Sequence, residues 1–315
     1  MDTPDVTENK IAFCFPGQGS LEAGMGRELA EAVPEAMEVF DEASEASGLD
    51  LKRLCFESPL DELVETEVQQ PALVATSLAV LAALRKRGVL PDFVMGHSVG
   101  EFAALVGAES LGTAETMALI RERALATGEA AREVAGAMAA ILGLEDDAVE
   151  EICEAIEGVW PANYNCPGQV VVSGEVDAVA QACAEARRAG ARRTVKLKVS
   201  GAFHSPLVAK AADRLRPAVE RVKLSEPVAP FVSTVSAKIE PAQRIGNLLV
   251  DQLTSPVRFT HAAHELIGKG VRTFVEVGPG NVLSGLLKRI DRGVKTFPVN
   301  SRAGLRRVEE LVSRS

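Results

Sequence analysis

The chain has 315 residues and a mass of 33.3 kDa, which suits one large domain or two smaller ones. Hydrophobic residues make up 47% and charged residues 25%, so the composition provides a core and excludes a disordered or low-complexity chain. A net charge of −10 and an aromatic content of 4% argue against a nucleic-acid-binding protein, because neither a basic nor a base-stacking surface is indicated.

The first part of the chain predicts strands that alternate with helices. An apolar run at 11–15 is typical of a buried strand, and Pro16-Gly17 ends it. Residues 71–87 are apolar on all sides, which indicates a buried helix. A short strand at 92–96, a tight turn and another helix follow. This order favours an α/β fold with a parallel sheet covered by helices.

Residues 135–199 have a different pattern, in which strand-like and helix-like segments follow the order β-α-β-β-α-β. This order is that of a ferredoxin-like unit. The sequence therefore predicts a small domain at 135–199, inserted into a discontinuous larger domain at 1–134 and 200–315.

The last part of the chain returns to alternating elements. They are predicted as a helix at 205–222, a strand at 228–236, two helices within 244–269 broken at Ser255-Pro256, a buried strand before a Gly-Pro-Gly loop at 278–280, a helix at 281–290, a strand at 294–300 and a final helix from 304.

The ends and the cysteines of the chain indicate its compartment. The N-terminal residues MDTPDVTENK are polar, and the longest apolar run, 72–84, is shorter than the about 20 residues that span a bilayer. We therefore expect a cytoplasmic protein with no membrane span. The cysteines form no CxxC pair, which is typical of reduced thiols and speaks against a zinc site. They are Cys14, Cys55, Cys153, Cys166 and Cys183.

The strongest local motif is GHSVG, with Ser98 at its centre, which fits G-x-S-x-G between a predicted strand and a predicted helix. Such a turn packs backbone against backbone, so a Cβ at Gly96 or Gly100 would clash. The turn would hold the Ser98 hydroxyl beside a helix N-terminus, where N–H groups stabilise negative charge. A serine that only caps the helix is the alternative. The flanking strand and helix favour a nucleophile.

A serine nucleophile needs a base, and the chain has four histidines. His204 lies in a loop at the predicted domain junction and is the candidate base, with a buried structural histidine as the alternative. His97 is adjacent to Ser98 and is better suited to supporting the turn. His261 and His264 lie three residues apart on one helix. Without an HExxH pattern or a carboxylate partner, they favour a solvated face over a metal site.

Acyl transfer also needs donors for the oxyanion. The main-chain N–H of Val99 follows the nucleophile and supplies one donor in the G-x-S-x-G geometry. The loop FPGQGS after the first strand offers the N–H of Gln18 as a second donor. A plain glycine-rich turn is the alternative for this loop.

Several motifs occur in one order between residue 11 and about residue 289. They are FPGQGS with GMG after it, GHSVGEF, an arginine in the next helix, GAMAAILGL, NYNCPGQVVVSG, GAFHSPL, QLTSPVRF and EVGPGNVL. In these motifs the sequence resembles the malonyl-CoA:acyl-carrier-protein transacylases. The resemblance implies an α/β-hydrolase-like large domain with a ferredoxin-like small one. It also implies transfer of malonyl from coenzyme A to the phosphopantetheine thiol of acyl carrier protein. The length of the chain favours a role in fatty-acid synthesis, although discrete acyltransferases of polyketide synthesis are similar.

The resemblance implies a role for individual residues. Ser98 would be the acylated nucleophile and His204 the general base, with Gln252 orienting His204 through its main-chain carbonyl. The N–H groups of Gln18 and Val99 would form the oxyanion hole. No metal or cofactor is implied.

The resemblance also implies which residues bind substrate. Arg123 would grip the malonyl carboxylate, because a guanidinium offers two parallel donors. From the residues alone, an ordinary surface charge is the alternative. Phe203 would crowd an α-methyl branch and so favour malonyl over methylmalonyl. Asn163 and Asn165 match a polar stretch near the cleft. The sequence departs from the family pattern at Leu21 and Ala124.

Three other functions stay open beside the one that the resemblance implies. A malonyl acyltransferase of polyketide synthesis, an acyl-thioester hydrolase and a non-catalytic carrier-binding scaffold are the alternatives. Acyl carrier proteins are acidic, so docking to this acidic chain requires a local basic surface. The candidate residues, which we call the basic cluster, are Arg187, Arg188, Arg192, Arg193, Lys196, Lys198, Lys288 and Arg289. An ordinary solvated face is the alternative for this cluster. We expect a monomer.

Overall fold

The structure, a computed structural model, describes residues 10–313. The predicted polar N-terminus and the last residues of the larger domain, 1–9 and 314–315, lie outside this range. Within it the strands are β1 Lys10–Phe15, β2 Phe93–Gly96, β3 Ala137–Leu142, β4 Val159–Cys166, β5 Gln169–Gly174, β6 Arg193–Lys196, β7 Phe231–Ser233, β8 Lys238–Ile239, β9 Val271–Val277 and β10 Lys295–Val299. The α-helices in the same range are α1 Arg27–Ala32, α2 Pro34–Ser47, α3 Leu51–Phe56, α4 Leu60–Leu63, α5 Thr66–Lys86, α6 Gly100–Gly107, α7 Thr113–Glu133, α8 Asp146–Glu154, α9 Val176–Arg188, α10 Ala209–Arg221, α11 Ala242–Asp251, α12 Phe259–Gly268, α13 Val282–Ile290 and α14 Arg302–Val312.

The larger sheet has the strand order β10-β9-β1-β2-β7-β8 among the described residues. Its neighbouring strands are parallel, except that β8 runs antiparallel to β7. The central strand β1 is fully buried from Ala12 to Phe15, because helices cover both faces of the sheet. The predicted α/β fold with a parallel sheet is confirmed.

The strand order changes direction at β1. The chain runs from β1 through β2 and β7 on one side and then returns to β9 and β10 on the other. In open parallel sheets, ligand sites form where the order diverges, beyond the carboxyl ends of the strands. The loop with Gln18 follows β1 and the turn with Ser98 follows β2, so both predicted motifs lie at this edge.

The second sheet is antiparallel and has the order β4-β5-β3-β6. Helix α8 connects β3 to β4, and α9 connects β5 to β6. This is the predicted ferredoxin-like topology, and the apolar side chains of α8 and α9 pack on one face of the sheet. Its strands, from Ala137 to Lys196, fall within 135–199. The exact domain bounds, 1–134 with 200–315 and 135–199, stay a prediction.

The two sheets are joined through β4. The N–H of Tyr164 donates to the carbonyl of Val257 at 2.9 Å, and the N–H of Val257 donates to the carbonyl of Ala162 at 2.8 Å. Met138 and Ala140 of β3 belong to the core of the larger part of the chain. The small antiparallel sheet is therefore packed directly against the larger part.

Helix α5 begins at Thr66, earlier than the predicted 71–87, and includes Pro71. Proline cannot donate to the carbonyl four residues before it, which is that of Glu67. That carbonyl instead accepts a hydrogen bond from Arg121 Nη1 at 2.9 Å, so the helix continues through the proline. By length and composition α5 could cross a membrane, but most of it is buried, as in the core helix of a globular protein.

One of two further predictions differs from the structure. The strand predicted at 228–236 is shorter, because the chain turns back after Ser233 into the two residues of β8. The two helices predicted within 244–269 are present as α11 and α12, with a break that includes Ser255-Pro256.

Candidate active site

The turn between β2 and α6 holds Ser98 in a strained conformation. Its φ of 52° lies in the left-handed region that side chains rarely adopt. A Cβ at Gly96 would lie 2.2 Å from the main-chain nitrogen of Glu101, and one at Gly100 would lie 2.1 Å from the carbonyl oxygen of Phe15. Both glycines are required by close backbone packing, as the sequence predicted.

Ser98 and His204 are joined by a hydrogen bond of 2.8 Å between Oγ and Nε2. The other ring nitrogen, Nδ1, lies 2.8 Å from the main-chain carbonyl of Gln252. A carbonyl oxygen only accepts, so Nδ1 carries the proton and Nε2 is free to accept the serine proton. His204 has a φ of 59°, and its N–H donates to the carbonyl of Leu253 at 3.1 Å.

The protonation state of His204 suits a base. Burial, together with the positive charge of Arg123, lowers the pKa of His204 to about 3. The imidazole is therefore neutral at pH 7 and able to take a proton. Its Nδ1 partner is a carbonyl, which stabilises an imidazolium less than a carboxylate would.

Arg123 on α7 is 3% exposed, so the alternative of a surface charge is wrong. Its Nη1 donates to Gln70 Oε1 at 2.5 Å, and its Nη2 donates to Gln252 Oε1 at 3.0 Å and to Ser98 Oγ at 3.3 Å. These partners are neutral, and Arg123 Nε has no hydrogen-bond partner among the described residues. Burial lowers the pKa of Arg123 to about 10, which leaves it charged at neutral pH. A buried cation held by neutral groups is suited to an anionic ligand.

These side chains line one small pocket. Its lining residues are Gln18, Gln70, Ser98, Arg123, Thr127, Phe203, His204 and Leu253. Five of them were identified as candidates from the sequence. The nucleophile, the base and the carboxylate-binding arginine therefore share one cavity, with the Phe203 side chain at its wall.

The two candidate oxyanion donors lie on neighbouring segments. A Cβ at Gly17 would lie 2.4 Å from the carbonyl oxygen of His97, so the loop after β1 packs directly on the Ser98 turn. In the range 10–313, no protein acceptor takes a hydrogen bond from the main-chain N–H of Gln18 or Val99. Both N–H groups are thus available to a ligand, and they fit the predicted oxyanion hole.

Asn165 lies behind the turn. Its Oδ1 is 2.9 Å from His97 Nε2, which fits the expectation that His97 supports the turn. Asn163 pairs with Val257 where the two sheets meet. Neither asparagine lines the pocket, and their predicted role in substrate binding stays a prediction.

Three lining residues, Gln70, Thr127 and Leu253, were not identified in the sequence, and two of them are polar. Gln70 is 1% exposed and donates from Nε2 to Thr127 Oγ1 at 2.9 Å, while it accepts from Arg123. One available signal was the position of Gln70, directly before the apolar run that predicts a buried helix. The other was the spacing of Thr127, which lies four residues after Arg123 on the same helical face.

Glu101, which directly follows the GHSVG motif, was also missed. Its carboxylate is fully buried and accepts from the main-chain N–H and the hydroxyl of Thr234, at 2.5 and 2.7 Å. It also accepts from Gln252 Nε2 at 2.5 Å. Burial raises the pKa of Glu101 to about 7, while these hydrogen bonds lower it.

The remaining predicted residues do not line the pocket. Leu21 and Ala124, where the sequence departs from the family pattern, do not line it. His261 and His264 are exposed, as expected for a solvated helix face.

All members of the basic cluster are exposed. Two contacts relate its parts: Arg289 Nη2 donates to the carbonyl of Pro167 at 3.3 Å, and Arg192 packs against Gly143, whose N–H donates to the carbonyl of Gly168. Arg192 and Arg289 therefore lie at the same end of the small sheet.

Comparison with known proteins gives a consistent result over almost the whole chain. The acyl transferase domain family matches residues 12–309. A malonyl CoA-acyl carrier protein transacylase of Bacillus subtilis is 44% identical over 297 residues, which cover 93% of this chain and 94% of the relative.

Solved structures agree with the sequence relatives. The crystal structure of a malonyl-CoA:acyl carrier protein transacylase from Xanthomonas oryzae pv. oryzae has a TM-score of 0.92 at 41% identity, covering 97% of this chain and 99% of that chain. A malonyl transacylase in complex with its type II polyketide synthase acyl carrier protein has a TM-score of 0.92 at 38% identity, covering 96% and 99%. By sequence and by fold, the chain belongs to the acyl transferase domain family and, within it, to the malonyl-CoA:acyl carrier protein transacylases.

Proposed function

We propose that this protein transfers malonyl from coenzyme A to the phosphopantetheine thiol of acyl carrier protein, for fatty-acid synthesis. The observation that carries the proposal is the Ser98–His204 hydrogen bond in the same pocket as the buried Arg123 guanidinium. The pair provides a nucleophile for a thioester, and Arg123 provides a cation for a free carboxylate. The activity named for the relatives supports this function.

The first half-reaction acylates Ser98. Its Oγ attacks the thioester carbonyl while His204 Nε2 takes the hydroxyl proton. The oxyanion accepts hydrogen bonds from the main-chain N–H groups of Gln18 and Val99. The C–S bond then breaks, and the departing coenzyme A thiolate takes the proton from His204. The product is a malonyl-serine ester with free coenzyme A.

The second half-reaction reverses these steps with a different thiol. The carrier thiol attacks the malonyl-serine carbonyl while His204 takes the thiol proton. Collapse of the tetrahedral intermediate breaks the ester bond, and His204 returns its proton to Ser98 Oγ. These steps use side chains and substrate thiols alone, so we expect no metal or redox cofactor to take part.

Selection of malonyl would come from two groups in the pocket. The guanidinium of Arg123 can donate two hydrogen bonds to the free carboxylate, and acetyl has no equivalent group. Phe203 is 6% exposed at the pocket wall and would crowd an α-methyl branch. We propose that the basic cluster provides the docking surface for the acidic carrier and that the enzyme acts in the cytoplasm.

Mass spectrometry with malonyl-CoA tests the function. We expect a malonyl increment on Ser98, no increment in Ser98→Ala, and transfer to added carrier protein that exceeds release of free malonate. Dominant malonate release in the presence of carrier would instead indicate a thioester hydrolase. Absence of the increment in the unaltered protein would indicate a non-catalytic scaffold. A preference for a polyketide carrier over a fatty-acid carrier would overturn only the assigned pathway.

A further inference from the structure

The carboxylate of Glu101 is not part of the pocket, yet it is tied to the groups that line it. It lies in the first turn of α6 and is fully buried. One oxygen, Oε1, accepts both hydrogen bonds from Thr234, and the other, Oε2, accepts from Gln252 Nε2. The reaction steps above give this carboxylate no task.

Gln252 connects the carboxylate to both reacting side chains. Its Nε2 donates to Glu101 Oε2 and to the carbonyl of Ser98, at 2.5 and 3.0 Å. Its Oε1 accepts from Arg123 Nη2, and its main-chain carbonyl accepts from His204 Nδ1. One residue thus holds the guanidinium through its side chain and the imidazole through its backbone.

The orientation of the Gln252 amide follows from its neighbours. A reversed amide would turn its NH₂ group toward the Arg123 guanidinium, which has only donors. It would also turn its oxygen toward the Ser98 carbonyl, which only accepts, and toward Glu101 Oε2, which only accepts when the carboxyl group is ionised. The guanidinium, the Ser98 carbonyl and the ionised Glu101 carboxylate together fix the amide with its oxygen toward Arg123.

We propose that Glu101 is a positioning residue that fixes the Gln252 amide and, through it, the malonyl-binding orientation of the Arg123 guanidinium. The proposal rests on the malonyl-transfer function argued above. It extends the carboxylate-binding site beyond the pocket to a side chain that never touches substrate.

Replacement of Glu101 by glutamine provides a specific test. The main-chain N–H of Thr234 is a fixed donor, so the oxygen of the new amide must face it. Its NH₂ group then faces the NH₂ group of Gln252, which must reverse or lose its partners. Either change removes the acceptor from Arg123 while leaving the volume of the side chain unchanged.

The experiment compares two reactions of Ser98 in stopped-flow single turnovers. Malonylation by malonyl-CoA requires Arg123. Phenylmethylsulfonyl fluoride has no carboxylate, so its reaction with Ser98 requires only a reactive serine. For Glu101→Gln we expect the malonylation rate to fall about tenfold more than the labelling rate. Glu240→Gln is the matched control, because Glu240 is 2% exposed, pairs with Arg244 and does not contact Gln252. It should leave the ratio of the two rates unchanged.

A second pair of variants tests the route through Gln252. Gln252→Leu should lower the same ratio, and adding Glu101→Gln to it should cause no further loss. Glu101→Asp keeps the charge but has a shorter side chain, so it should give an intermediate ratio. This variant replaces Glu101→Gln in the test if Glu101→Gln does not fold.

Equal losses in both reactions, an unchanged ratio, or additive losses in the double variant would overturn the proposal. Failure of the unaltered protein to form malonyl-serine would instead overturn the proposed function. The two failures are therefore distinguishable.

Discussion

The two sheets of this protein carry different kinds of polar residue. Beyond the carboxyl ends of β1 and β2, the larger parallel sheet buries Ser98, Arg123 and His204 around one pocket. On the antiparallel sheet, exposed arginines and lysines occupy β6 and the end of α9. No residue of the pocket lining comes from the strands and helices between Ala137 and Lys196.

The contrast shows where the chain tolerates strain and charge. Ser98 and His204 both have positive φ values, a conformation that costs about 1–3 kcal/mol at each residue and persists only where the surrounding packing fixes it. The basic cluster needs no such packing, because exposed charges are already solvated. We therefore expect substitutions beside the parallel sheet to cause large losses in the rate of malonyl transfer. Substitutions on the antiparallel sheet should cause small changes in the KM for carrier protein.

The largest expected effect is at the dyad. Ser98→Ala should remove malonyl-enzyme formation, and His204→Ala should slow it by about 10³-fold or more, because each removes one half of the nucleophile. The double variant should be no slower than Ser98→Ala. Coenzyme A release in a single turnover measures all three. If Ser98→Ala still released coenzyme A in a single turnover, Ser98 beside the parallel sheet would not be the nucleophile.

The next largest effect is at Arg123. Arg123→Ala should lower kcat/KM for malonyl-CoA by about 10- to 100-fold, because a charge-assisted pair to the carboxylate is lost. The ratio of acetyl to malonyl transfer should rise accordingly. Arg132→Ala is the control on the same helix, because Arg132 is exposed and pairs with Glu67. Equal losses with acetyl- and malonyl-CoA would contradict carboxylate recognition by Arg123.

A smaller effect is expected at Phe203. Phe203→Ala should raise the methylmalonyl to malonyl ratio of kcat/KM, because room for one methyl group is worth about 1–3 kcal/mol. Competition between the two thioesters measures the ratio directly. A ratio unchanged from that of the unaltered protein would exclude Phe203 as the group that rejects the branch.

Charge reversal on the small sheet should have a weaker effect still. Arg192→Glu with Arg193→Glu should raise the KM for carrier protein about 3- to 10-fold and leave coenzyme A release in the first half-reaction unchanged. Arg306→Glu with Arg307→Glu makes the same change in charge on α14, whose two arginines are also exposed. If both pairs raise the KM equally, the effect belongs to net charge and not to a docking surface.

The smallest expected change is in the protonation of His204 in the folded protein between pH 8 and pH 5. Its pKa is lowered to about 3, whereas a free imidazole with a pKa of about 6.5 is largely protonated at pH 5. The His204 ring resonances should therefore stay those of neutral imidazole between pH 8 and pH 5. A titration midpoint near pH 6.5 for these resonances would contradict the buried, neutral base.

The same lowered pKa affects stability. Because the unfolded chain binds this proton below about pH 6.5, His204 lowers the free energy of unfolding as the pH falls from 6.5 toward 3.

The sequence predicted the local parts of this site better than its long-range contacts. The Ser98 turn follows from glycines that lie two residues before and two residues after the serine. Because this turn depends only on neighbouring residues, the sequence could predict it. The burial of Arg123 did not follow from its helix, because the guanidinium is enclosed by side chains from α5 and from the end of α11. The roles of Gln70 and Glu101 depend on the same long-range packing, so their spacing alone could not assign them a partner.

The first boundary of α5 shows the same limit. Pro71 is a helix-breaking signal when only its neighbours are considered. The side chain of Arg121, fifty residues later, satisfies the carbonyl that the proline leaves without a donor.

The close approach of Gly17 to the carbonyl of His97 has a consequence for how the chain supplies the site. The loop after β1 and the turn after β2 place both oxyanion donors beside the nucleophile, all within the first 100 residues. His204 lies 106 residues after Ser98 and is held by the segment at Leu253. The oxyanion donors and the base therefore come from separate parts of the chain, and the serine has its base only where these parts pack together.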